Sequence, residues 1–170
     1  MSTNLVMNRL GRRRGAAVER ESMRISTKGD YGVRALIDLA LHEGEGPVQR
    51  ADIAARRRIP ESYLDHLLAQ LRRDGFIRST RGPGGGHELA KPAAEICLLH
   101  VLESLEGSLA PLGCLGADES LDEHDPLCGQ QWVWREIYNE MRRRLHAVSI
   151  ADLAQRERQR ARTAAPSYAI

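Results

Sequence analysis

Two short strand-like runs, Phe76 to Thr80 and His87 to Ala90, flank the segment Arg81-Gly82-Pro83-Gly84-Gly85-Gly86, and few folds accommodate that order. Glycines packed around one proline make a tight, stiff turn, so the pattern is that of a β-hairpin. Immediately upstream, Glu61 to Asp74 carries Leu64, Leu67, Leu68 and Leu71 at i, i+3, i+4 and i+7, one apolar stripe along a helix. A helix that feeds directly into a hairpin with a basic tip predicts a winged helix.

The segments before it complete the unit. Tyr31, Ala35, Leu36, Leu39 and Ala40 give Lys28 to His42 a helical period, which Gly44-Glu45-Gly46-Pro47 ends. Val48 to Arg58 reads as a second, shorter helix with Ile53 and Ala54 inward and its arginines outward, and Ile59-Pro60 as the turn into the third. Helix, short helix, turn and helix make a helix-turn-helix. Aromatic residues are only 4% of the 170, so Leu, Ile, Val and Ala must fill the core, which suits helices. The expected fold class is mainly α with a small β-hairpin wing: a winged helix-turn-helix domain over residues 23–92, plus a long dimerisation helix.

Around that domain the chain divides further. Residues 1–22, with Arg9, Arg12, Arg13, Arg14 and Arg20 and little apolar periodicity, read as a disordered basic arm, or as a segment ahead of a true start at Met23. Ile96, Leu99, Leu102 and Leu105 predict one amphipathic linking helix over 93–106, stopped by Gly107. Residues 107–130 lose periodicity and carry Pro111, Gly113, Gly116, Pro126 and Gly129, a loop longer than a compact domain keeps without a use for it. Within 131–158, Trp134, Ile137, Met141, Leu145 and Val148 step by three and four along a long helix, the seam spacing of paired helices, and are the expected dimerisation residues. Ser149 is placed to cap a last short helix, Ile150 to Arg158, and residues 159–170 are expected to be a tail without structure.

The net charge of +2 says little about partners, but its distribution is uneven. Arg56, Arg57, Arg58, Arg72, Arg73, Arg78 and Arg81 crowd one segment, and Asp118, Glu119, Asp122, Glu123 and Asp125 another. A local basic surface beside an exposed helix fits double-stranded DNA, whose phosphates release counterions to it. A helix enters the major groove with small or polar residues near its exposed start, here Ser62, Tyr63, Asp65 and His66, opposite the leucines. Arg72 and Arg73 farther along, and Arg78 and Arg81 with Gly82 and Gly84 on the wing, are placed to grip phosphate or reach the minor groove. Asp65 is discordant: an acid there repels phosphate unless it accepts from cytosine N4 or rejects wrong sequences. Winged helices also dock proteins, which keeps a partner-binding module as the alternative.

Catalysis is not expected, because the chain lacks a phosphate loop after a strand, a zinc-protease pair and a cysteine signature tied to a histidine base. No run approaches the ~20 apolar residues of a membrane span, and the start lacks the apolar core of a secretory signal, so a cytoplasmic protein is expected. The three cysteines, Cys97, Cys114 and Cys128, are too irregular for a disulfide framework and read as buried, reactive or metal-binding thiols. Cys97, at the start of a helix, reads as buried and inert.

Six motifs then combine: Met23-Arg24-Ile25-Ser26-Thr27-Lys28-Gly29-Asp30-Tyr31, Ser62-Tyr63-Leu64, Leu71-Arg72-Arg73-Asp74-Gly75, the Arg81 to Gly86 turn, Leu105-Glu106-Gly107 and Ile150-Ala151-Asp152-Leu153. Over residues 23 to about 153 they resemble the IscR/NsrR/CymR-type family of bacterial winged helix-turn-helix transcriptional regulators. The resemblance implies a homodimer joined through the long helix, binding a roughly palindromic operator as repressor or activator. It also implies a sensor loop, since many members hold an iron-sulfur cluster there on three cysteines. Cys114 looks like the first ligand and Cys128 like the last, but the middle position offers Ser120 and acids in place of a thiol.

Asp30 matches the place from which NsrR-like members supply an aspartate across the dimer, and His124 lies in the loop as an imidazole donor. The implied set is Cys114, Cys128, Asp30 and His124, for a two-iron (2Fe-2S) cluster. The expected function is a DNA-binding regulator, a repressor, with redox, nitric-oxide or iron-sulfur input. The alternative is the same regulator without a cluster, controlled by thiol oxidation or by docking a partner protein.

Overall fold

The computed structural model describes residues 25–111, 115 and 129–164. In chain order it has α1 (Thr27–Leu41), α2 (Arg50–Arg57), α3 (Glu61–Arg73), β1 (Ile77–Thr80), β2 (Gly86–Leu89), a 3-10 turn (Ala93–Glu95), α4 (Leu98–Glu106), α5 (Gln131–His146) and α6 (Ile150–Ala164). This is the mainly helical winged fold that the leucine stripe and hairpin predict. Leu64, Leu67, Leu68 and Leu71 of α3 are all buried, and they share one core with Leu36, Ile53, Ile96 and Ile150. The wing is antiparallel, pairing Ile77 with Leu89, Arg78 with Glu88, Ser79 with His87 and Thr80 with Gly86.

α1 begins where Ser26, in extended conformation, accepts the Lys28 N–H through its hydroxyl. A second cap arrives from the far end of α4. Glu106 Oε1 accepts from Ser26 N at 3.0 Å, Ser26 Oγ at 2.8 Å and Gly29 N at 2.8 Å. A Cβ at Gly29 would collide with that oxygen, so the glycine is what leaves room for the Glu106 carboxylate. The resemblance motifs around Ser26 and Glu106, far apart in the chain, are therefore halves of one contact.

Five expectations need correction. The second helix starts at Arg50, not Val48, because Val48 exchanges backbone hydrogen bonds of 2.9 and 2.8 Å with His87 and acts as a third strand position beside the wing. Its arginines do not all face outward. Asp38 of α1, the one buried charged side chain among the described residues, accepts from Arg56 Nη2 at 2.7 Å and from Arg57 Nε at 2.9 Å. Arg57 also reaches Glu157 Oε2 at 2.7 Å, and Arg158 Nη2 donates to the carbonyls of Ala40 and Leu41, which docks α6 on the end of α1.

Third, the linking helix over 93–106 is broken. Ile96 and Cys97 are extended, because Leu98 N donates to Val148 O and Ile150 N to Ile96 O, both at 2.9 Å, in a strand-like crossing. Fourth, that crossing removes Val148 from the long helix, which ends at His146. Fifth, residues 159–164 are helical rather than tail: α6 runs through Gln, Arg and Ala, all good helix formers, to Ala164. Ser149 caps α6 as expected. Its hydroxyl accepts from Asp152 N, and Asp152 Oδ2 accepts from Ser149 N at 2.8 Å and from Ser149 Oγ at 2.7 Å; the last two bonds, the backbone one first, hold the Asp152 carboxyl below its ordinary range.

The seam residues of α5 divide. Trp134, Met141 and Leu145 pack against a second apolar cluster of Leu99, Leu102, Leu109, Ala110, Leu115 and Tyr138 in the same chain. Ile137 is 43% exposed, together with Trp132 at 64% and Val133 at 37%. A three-four period marks an apolar stripe but does not say which of two partners covers it.

Candidate nucleic-acid interface

Burying the leucines of α3 leaves Ser62, Tyr63, Asp65, His66, Arg72 and Arg73 exposed along its opposite side. Tyr63 stands edge-on to Tyr31 of α1, ring centres 5.8 Å apart, and the Arg34 guanidinium lies 5.7 Å from the Tyr31 ring centre. α1 thus fixes the first aromatic ring of the candidate reading face.

Asp65 has a partner that sequence reasoning missed. Arg50, at the start of α2, donates through Nη1 to both Asp65 oxygens at 2.8 Å and through Nη2 to Glu61 Oε2 at 3.0 Å. The hydrogen bond that Arg50 donates to Asp65, together with the Asp65 charge, raises the Arg50 pKa above the usual arginine value. The acid that looked out of place neutralises a guanidinium instead of facing phosphate unshielded. Sequence spacing could not show this, since Arg50 and Asp65 belong to different helices.

On the wing, Arg78 Nε donates to Glu88 Oε2 across the strands at 3.3 Å, and Ser79 Oγ lies 2.9 Å from His87 Nδ1. Burial, followed by the nearby Arg72 charge, pushes the His87 pKa down. Gly82 and Gly84 hold φ of 104° and 80°, a left-handed turn that side chains rarely adopt. An open groove between α2 and the wing is lined by Gln49, Arg50, Asp65, Gly82, Pro83 and Gly84. Among the described residues no ion pair engages Arg72, Arg73 or Arg81. The arrangement therefore sets polar side chains on a protruding helix, uncommitted guanidinium groups along its edge, and a backbone-rich turn beside it.

The implied metal ligands are less accessible to description. Cys114, Cys128 and His124 lie outside the described residues. Asp30 is in the first turn of α1, half-exposed, with Oδ1 accepting from Arg34 Nε at 3.1 Å and Oδ2 2.7 Å from Arg34 Nη2. Cys97 is not the buried thiol expected of it; it is half-buried, just ahead of α4, close to His100 and His146.

Comparison with known proteins places these features. The family model for Rrf2, described as an iron-dependent transcriptional regulator, matches residues 25–156. A curated relative, the HTH-type transcriptional regulator IscR of Photorhabdus laumondii, is 37% identical over 77% of this chain and 79% of its own length. The structure of CymR, the global cysteine regulator of B. subtilis, superposes with a TM-score of 0.66 at 32% identity, covering 78% of this chain and 96% of that one. T. potens IscR gives 0.65 at 33% identity, covering 86% and 93%. These relatives are transcriptional regulators and not enzymes. No helix among the described residues is long and apolar enough to cross a membrane.

Proposed function

The chain belongs to the Rrf2 family of transcriptional regulators, and from that premise we propose that it is a homodimeric, sequence-specific repressor that reads a palindromic operator with α3 and senses a redox, nitric-oxide or iron-sulfur signal at the loop after α4. The observation that carries the DNA reading is the edge of exposed, uncommitted arginines, Arg72, Arg73 and Arg81, beside the polar face of α3. In this reading Ser62, Tyr63 and His66 meet base edges. Asp65 orients Arg50, while Arg72, Arg73, Arg78 and Arg81 hold phosphates, and Gly82 and Gly84 let the wing backbone approach the duplex. Trp132, Val133 and Ile137 of α5 supply the uncovered apolar face for the second subunit, which presents two reading heads to two half-sites.

For the input, the donor set of Cys114, Cys128 and His124, with Asp30 from across the dimer, offers two thiolates, an imidazole and a carboxylate, enough for a two-iron cluster. Asp30 fits such a role because the only described partner of its carboxylate is Arg34, half-exposed and on the same helix. A bound cluster would supply a centre for one-electron change and for attack by nitric oxide. The protein's own part is to hold the loop between α4, which is clasped to α1, and α5, so that altered ligation alters how the two heads are set.

Selection of duplexes from a random pool at moderate ionic strength tests the DNA reading, which predicts an enriched palindrome lost in the Tyr63→Ala, His66→Ala chain; no enrichment by either anaerobic or air-oxidised protein refutes it. Iron and sulfide analysis with the visible spectrum of anaerobically isolated protein tests the input. Colourless, iron-free protein after reconstitution, with a Cys114 to Cys128 disulfide in non-reducing mass mapping, replaces the cluster with thiol oxidation.

A further inference from the structure

One thiol and two imidazoles meet where the start of α4 lies beside the end of α5: ligand atoms of Cys97, His100 and His146 lie within 4.8 Å of one another. We propose that these three residues bind a transition-metal ion of the zinc class, joining the start of α4 to the end of α5. The proposal does not rest on the cluster reading, because the loop 107–130 connects the opposite ends of those helices.

Each ligand is delivered by backbone that has another reason to be where it is. Cys97 is fixed by the strand-like bridge to Ser149, and its thiol points at the last turn of α5, with Sγ 3.5 Å from the His146 carbonyl oxygen. His100 follows three residues later, in the first turn of α4, on the side that faces its neighbour. His146 is the last residue of α5, and its ring stands edge-on to that of His100 with centres 5.6 Å apart. A tetrahedral zinc site, with bonds of about 2.0–2.3 Å, sets its ligand atoms roughly 3.3–3.6 Å apart. Both histidines are exposed, so turning the rings closes the gap from the 4.8 Å limit, and the outer side leaves a fourth position to water.

The surrounding charge permits a cation. Arg142 and Arg143 share the surface with His146, but Arg142 pairs with Glu103 at 3.2 Å and Arg143 with Glu140 at 2.5 Å. One sulfur with two nitrogens selects Zn2+, Co2+, Ni2+ or Cu+ over Mg2+ and Ca2+, which demand oxygen. On binding, the Cys97 thiol gives its proton to solvent and the imidazoles bind in their neutral form. The ion would stiffen the joint between the helix clasped to the reading head and the helix that carries Trp132, Val133 and Ile137.

The experiment is a Co2+ titration of the full chain carrying Cys114→Ser and Cys128→Ser, so that only Cys97 can supply sulfur. The site predicts a sulfur-to-cobalt charge-transfer band in the near ultraviolet and intense visible bands of tetrahedral Co2+, both bleached by Zn2+. Adding Cys97→Ser removes the charge-transfer band, and adding His100→Gln or His146→Gln weakens Co2+ binding by at least about tenfold. The two histidines are on the surface, so their variants carry the test if the Cys97 variant misfolds. Zn2+ should also raise the Tm of the double-serine chain and leave that of its His100→Gln, His146→Gln derivative unchanged. Absence of the sulfur band, or its persistence in both histidine variants at unchanged affinity, overturns the proposal and leaves the loop chemistry, read from iron and sulfide in the unaltered chain, untouched.

Discussion

Arg56 and Arg57 on α2 close over Asp38, whose side chain is 2% exposed, whereas Arg72, Arg73 and Arg81 on α3 and the wing face water with no ion pair among the described residues. In the first place two guanidinium groups compensate a carboxylate taken out of water, and a second acid, Glu157, ties the group to α6. In the second no carboxylate among the described residues pairs with the charge, which leaves it open to phosphate. Arginine density along the sequence is similar in both. What separates Arg57 from a candidate nucleic-acid contact such as Arg72 is that the fold has already given Arg57 a buried carboxylate.

That contrast can be broken most decisively at Asp38. Asp38→Ala leaves Arg57, itself only 12% exposed, with Glu157 as its one described carboxylate partner, and should cost about 3 kcal/mol in urea unfolding. A loss below about 1 kcal/mol would place the stitch among ordinary surface pairs. The outer set should behave oppositely. Arg72→Ala with Arg73→Ala should leave the unfolding free energy within about 0.5 kcal/mol. In fluorescence anisotropy the same variant should flatten the plot of log affinity against log salt by about 0.9 per lost phosphate contact. An unchanged slope would take these arginines off the duplex.

Arg50 lies between the two cases, and Asp65→Asn sharpens the distinction by leaving it Glu61 as its one described carboxylate partner: binding to unrelated duplexes should rise severalfold while preference for the selected operator falls. The smallest effect is a pH term. Because the His87 pKa is lowered in the folded chain, its contribution is whole above the ordinary histidine value of about 6.5 and is lost as pH falls below it. Thermal unfolding of His87→Gln between neutral and mildly acid pH should show a shallower decline than the parent.

The features legible in the sequence are those whose partners lie close along the chain. The leucines of α3 announce their shared face within three turns, the glycines of the wing announce a turn, and Ser149 with Asp152 announces a cap. Asp38 with Arg57, Arg50 with Asp65 and Ser26 with Glu106 are equally decisive but span helices, and no periodicity encodes them. The broken linking helix belongs to the same group, since a distant backbone, Val148 to Ile150, competes for Ile96 and Leu98 and wins. For the candidate site, α3 and the wing could be placed from local pattern. The role of Asp65 could not, and the approach of Cys97 to His146 requires the crossing that only the folded chain makes.

Glu106 is followed by Gly107, where the loop departs, and its one oxygen collects three donors from the root of α1. Because those three donors converge on a single oxygen, withdrawing Glu106 would unbind Ser26 and Gly29 together, directly beside Asp30 on the same helix.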